Sequence, residues 1–112
     1  MPQCTVALCF AISTWLTAHG YSPPQRDAVL AYVGRESGFR PDVIGVNGVC
    51  LGQWAGVRRR QVLALGGSRC PPWEAQMEFA DRELRTVFAG FWAARDPASH
   101  MRCHFGMGRA DR

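Results

Sequence analysis

The sequence predicts a mainly α, α+β domain: a small packed set of helices with one short hairpin or loop as a wall. Apolar residues recur at spacings of three and four in successive stretches, the period of amphipathic helices. Clusters of Gly and Pro separate those stretches. Strand chemistry is confined to one Gly-rich segment, residues 43–53, with Asn47-Gly48 as its turn signal. The chain has 112 residues with 47% apolar content, 12 Gly and 7 Pro, which fits one loop-interrupted domain over 1–112 with a modest core. Residues 98–112 read as a tail.

Thr5 to Ala18 forms the first expected helix, with Thr5 as N-cap and Gly20 beyond its end. Its apolar residues (Val6, Leu8, Cys9, Phe10, Ile12, Trp15, Leu16) cover most of the circumference, so it should be largely buried. No basic residue precedes the Val6–Ile12 run and no small-residue cleavage site follows it. It therefore reads as a core helix, not a signal peptide, and it is too short to cross a bilayer. Ser22-Pro23 starts the second helix, Gln25 to Ser37, with Gly38 as a left-handed cap.

A third helix spans Val57 to Leu65, with Val57, Gln61 and Leu65 on its apolar side. Arg58, Arg59 and Arg60 crowd its first turn, where the macrodipole disfavours cations. The fourth and longest helix follows Pro71-Pro72. Trp73, Met77, Ala80, Leu84, Val87, Phe88 and Phe91 give it one continuous stripe, and Glu74, Glu78, Asp81 and Glu83 are assigned to surface pairing on its other faces. Asp96-Pro97 ends it.

A net charge of +4 and a pI near 9.1 suit an anionic partner such as nucleic acid, a membrane surface or an acidic cell-wall polymer, without choosing among them. The cysteines (Cys4, Cys9, Cys50, Cys70, Cys103) form no CxxC pair, which argues against zinc. Cys4 and Cys9, five apart on a helix, fall on different faces. Most of the cysteines thus read as small core residues in a reducing compartment, with a Cys50–Cys70 bridge left open because both flank the Arg-rich segment. His100 and His104 are an i,i+4 pair beside Cys103, but they lack the Glu of a metalloprotease helix, so no metal is assigned.

Glu36 is the residue that asks for an explanation. It falls three residues after Val33, four after Tyr32 and seven after Val29, so it extends a buried stripe at a helix C-terminus. Desolvation and the macrodipole both disfavour its anion, which should raise its pKa. A carboxylic acid that keeps its proton near neutral pH is what protonation of a leaving oxygen requires.

The order Glu36-Ser37-Gly38-Phe39-Arg40-Pro41, a loop with Gly45, Gly48 and Gly52, then Gln53-Trp54-Ala55-Gly56 and the arginines resembles the lysozyme-like superfamily. The likeness is greatest to its phage tail lysozyme branch and the related lytic transglycosylases, over about residues 25–88. The resemblance implies that Glu36 is the catalytic acid, that residues 43–53 form one wall of a sugar cleft, and that the fourth helix is the central packing element. Relatives often carry Gly where this chain has Cys50. They usually supply a late aromatic hydroxyl near the acid, whereas no Tyr follows Tyr32 here.

Around Glu36, substrate contacts are expected from Ser37, Asn47, Gln53, Trp54 and Arg58. Ser37 would act through its backbone hydrogen bonding and not as a nucleophile, and Trp54 is either a plate for a sugar face or a core residue. Asp42 is the nearby candidate for a second carboxylate. The activity implied is cleavage of the MurNAc–GlcNAc β-1,4 bond by a lysozyme or lytic transglycosylase, with no cofactor. Its partners would be peptidoglycan glycan strands and, in delivery, phage tail or secretion-apparatus proteins, with no nucleic acid and no stable membrane insertion. With no signal peptide expected, other proteins would carry the chain to the wall. A non-catalytic lysozyme-like module and a helix-turn-helix DNA binder are the alternatives. The latter needs a recognition helix directly after the turn at Gly38, where Gly45 and Asn47-Gly48 interrupt.

Overall fold

The computed structural model describes residues 4–104. Its helices are α1 (Ala7–Ala18), α2 (Pro23–Ser37), α3 (Gly56–Leu65), α4 (Trp73–Arg85), α5 (Gly90–Ala93) and α6 (Pro97–His104). The domain is mainly α, as the periodicities predict, and none of the described helices is long and apolar enough to cross a membrane. Residues 43–54 contain two isolated antiparallel bridges, Ile44 with Val49 and Val49 with Trp54. Among the described residues the wall is thus a bridge-linked loop, not a sheet.

α1 begins after Thr5, because Val6 is the extended residue that precedes it and no side chain caps it. Cys4 is therefore off the helix, freed from the 100° step that would separate it from Cys9. The two are joined by a disulfide with Cα atoms 5.4 Å apart, and Cys50 is joined to Cys70 at 5.7 Å. The expectation of reduced core cysteines is corrected: both bridges belong to an oxidising environment. The side chains of Cys103 and His104 lie outside the described residues. α1 also buries one stripe, Cys9, Ile12 and Leu16, and leaves Phe10 exposed, so it is less enclosed than its composition suggests.

α2 is the central helix, packed against α1 on one side and α6 on another. Its start is a capping box: the Gln25 N–H donates to Ser22 Oγ, and the Ser22 N–H donates to Gln25 Oε1. The expected tail from residue 98 is corrected as far as His104. That stretch is helix α6, and its Met101 is buried in the core. Residues 105–112, including the expected frayed end, lie outside the described residues.

α4 is shorter than its stripe predicts, and α2 exceeds it. The Thr86 hydroxyl bonds back to the Arg82 carbonyl and β-branched Val87 follows, a poor pair for continuing a helix. The backbone turns at Thr86, Val87 is left exposed, and Phe91 reaches the core from α5. α3 is corrected as well. Val57 and Leu65 are exposed, and Val62 is the residue it buries. No recognition helix follows the turn at Gly38, since residues 38–55 are turn and loop. The geometry a helix-turn-helix needs is therefore missing there.

Candidate functional site

The C-terminal end of α2 positions the site. Gly38 takes the left-handed conformation that stops the helix, and Phe39 follows at φ +61°. This second left-handed residue throws the Phe39 ring back onto the helix at Gly34, where an added Cβ would stand 3.0 Å from the ring edge. Ser37 is 1% exposed and its hydroxyl donates to the Val33 carbonyl at 3.1 Å. Its hydroxyl is thus engaged with the helix backbone. Arg40 turns back too, its Nε donating to the Ser37 carbonyl at 2.9 Å.

Glu36 is half-buried on the last turn of α2. One turn earlier, the Tyr32 hydroxyl donates to the Gly52 carbonyl at 2.9 Å. Residues four apart share a helix face, so the bridge-linked loop is moored to the face that Glu36 continues. Gly48 makes that loop tight: a Cβ there would meet the Gln53 carbonyl oxygen at 2.3 Å. Gln53 is half-buried at φ +48°, and its Nε2 donates to the Cys50 carbonyl at 3.0 Å. Asn47 and Asp42 are exposed, Asn47 at the hairpin tip and Asp42 just past the turn.

Trp54 and Arg58 are both engaged with Glu83. Trp54 is 3% exposed, edge-on to Phe79, with its Nε1 donating to Glu83 at 3.1 Å. Its ring is a core plate with no open face. Arg58 is clamped by Glu83 through Nε at 2.6 Å and Nη2 at 2.8 Å, and its guanidinium lies over the Phe88 ring. Burial works against the Arg58 charge. The hydrogen bond and charge of Glu83, helped by the Tyr32 hydroxyl, outweigh it and hold the pKa above the ordinary arginine value.

Two residues not singled out from the sequence organise this region. Glu83 was expected on the surface. It is 8% exposed and receives both Trp54 and Arg58. Gln76 is 0% exposed and its amide reaches backbone groups on three separate segments. Gln76, Ala80 and Glu83 follow spacings of four and three beside the apolar stripe, a pattern that by itself does not tell a buried polar residue from a solvated one.

A half-buried carboxyl on the helix face to which a loop bearing two side-chain amides is moored is of the kind that exchanges a proton with a ligand oxygen. No group of three or more metal-binding side chains exists among the described residues. Comparison with curated proteins and with solved structures returns no match. The family model for phage tail lysozyme matches residues 10–103, from α1 through α6, and carries with it a lysozyme-like, tail-associated role. On that match, with the helical architecture beside it, the chain belongs to the phage tail lysozyme family.

Proposed function

We propose that this chain cleaves the MurNAc–GlcNAc β-1,4 bond of peptidoglycan with Glu36 as general acid and then base. The observation that carries it is the position of Glu36 on the last turn of α2, on the face to which Tyr32 moors the Gly52–Gln53 loop. Glu36 gives its proton to the glycosidic oxygen as the C1–O bond breaks and the GlcNAc hydroxyl departs. The substrate's own N-acetyl oxygen covers the anomeric carbon. The Glu36 carboxylate then takes a proton from whichever hydroxyl attacks: the sugar's 6-OH, giving a 1,6-anhydro end, or water, giving a reducing end. Asp42, exposed beyond the turn, is the second carboxylate for the water route.

Gln53 and Asn47 are the side chains of the wall that contact the glycan, and the strands of peptidoglycan are the partner. Ser37, Trp54 and Arg58 support the site from behind, because their polar groups are spent on Val33 and Glu83. Delivery falls to the phage tail.

Digestion of purified peptidoglycan by wild type and Glu36→Gln, read by mass spectrometry, tests this. Wild type releases muropeptides and Glu36→Gln loses on the order of 10²–10⁴ in rate. Anhydro-muramyl ends identify the transglycosylase route. Reducing ends that decline in Asp42→Asn identify hydrolysis. A folded wild type that leaves every wall preparation intact sinks the proposal and leaves a non-catalytic module.

A further inference from the structure

From the geometry of its side chain, we infer that Gln76 is a positioning residue that sets the Glu36 turn against the Gln53 loop. The inference rests on the proposed glycosidase reading. Gln76 Oε1 accepts from the Leu51 N–H at 2.8 Å. Its Nε2 donates one hydrogen to the Pro41 carbonyl and the other to the Pro71 carbonyl, each at 2.8 Å. The amide orientation follows from the partners. Flipped, an NH2 would face an N–H, and an oxygen would face two carbonyls.

These contacts are not interchangeable. Leu51 follows Cys50 and Pro71 follows Cys70, so the Cys50–Cys70 bridge already ties those two segments covalently. Pro41 is the third segment. It ends the turn that begins at Gly38, directly after Glu36 and Ser37, and the bridge does not reach it. Gln76 therefore fixes the turn after Glu36 to the loop carrying Gln53 from the α4 side, beside the Tyr32–Gly52 bond and the Cys50 N–H to Val43 carbonyl bond. No water is needed to complete the set, since both amide hydrogens and the carbonyl oxygen are engaged inside the protein.

Gln76→Met keeps the length of the side chain and deletes its polar atoms. Gln76→Glu keeps the acceptor for Leu51 and, while ionised, loses both donors. The experiment uses the full chain with its disulfides intact and soluble glycan strands as substrate. The amide exchange rate of Leu51 and the thermal midpoint are followed for each variant. In Gln76→Met, kcat falls on the order of tenfold to a hundredfold with KM within about twofold, because the acid is displaced while the wall is kept. In Gln76→Glu, lowering the pH restores part of the lost kcat relative to wild type at the same pH, as the protonated carboxyl regains one donor.

A folded Gln76→Met with fast Leu51 exchange and wild-type kcat overturns the positioning role and leaves the glycosidase reading standing. So does a loss that appears wholly in KM. A wild type without cleavage defeats the glycosidase reading itself, and the positioning role falls with it.

Discussion

The two ends of α2 are built by different means. At the N-terminus, Ser22 and Gln25 close a capping box on each other, three residues apart, and Pro23 fixes the first turn. At the C-terminus, Gly38 stops the helix, but the chain beyond it is held from far away. Gln76 grips Pro41 across 35 residues and Leu51 across 25, and Tyr32 reaches Gly52 across 20. The N-terminal end reaches out through Gln25, whose Nε2 donates to the Trp92 carbonyl at 3.4 Å, and the end with Glu36 depends more heavily on the rest of the fold. A local device can place a helix. Setting a carboxyl against a loop from another part of the chain takes tertiary contacts.

Four variants sharpen that contrast. Glu83→Ala strands Trp54 Nε1 and the Arg58 guanidinium, both of which Glu83 receives. It should cost about 3 kcal/mol in urea denaturation, somewhat less than a fully enclosed pair because Arg58 is partly solvated. Removing both charges, as Arg58→Met with Glu83→Leu, should recover part of that loss. If Glu83→Ala proves as mild as a surface change, remote polar contacts do not hold the C-terminal side.

Ser22→Ala removes one local hydrogen bond from the other end and should cost about 1 kcal/mol by the same measurement. Activity per folded molecule should be unchanged, since nothing at that end touches the site. A matching loss of activity would erase the distinction between the two ends.

The smallest effect concerns Tyr21, whose pKa is raised by burial first, then by its hydrogen bond to Asp81 and that carboxylate's charge, with Arg85 opposing. Above about pH 10 the unfolded chain releases a proton that the folded chain keeps, so stability falls as pH rises from the ordinary tyrosine value. Urea midpoints between pH 8 and 11 should decline for wild type. In Tyr21→Phe the decline should be shallower.

What the sequence disclosed follows the same division. The start of α2, its Gly38 stop, the Asn47-Gly48 turn and the position of Glu36 are local chemistry and were legible. The break in α4 was not, because Val87, Phe88 and Phe91 keep helical spacing whether or not the backbone turns at Thr86. Glu83 and Gln76 were hidden for another reason. A polar residue beside an apolar stripe looks the same whether it faces water or a buried partner, and only the fold brings Trp54, Arg58 and Pro41 to it. The Cys4–Cys9 bridge escaped because the first helix starts one residue after its apolar run begins, at Ala7, which leaves Cys4 off the helix.

The Cys50–Cys70 bridge carries a consequence for how the protein matures. It closes a loop across 20 residues, and a cross-link of that span contributes about 3 kcal/mol by restricting the unfolded chain. Apart from the bridge, the wall is held by its hydrogen bonds and by the burial of Val49, Leu51 and Trp54 in the core. Oxidation of this pair falls on the loop that carries Gln53. The order of the wall thus depends on the redox state of the surroundings as well as on the packing of the chain.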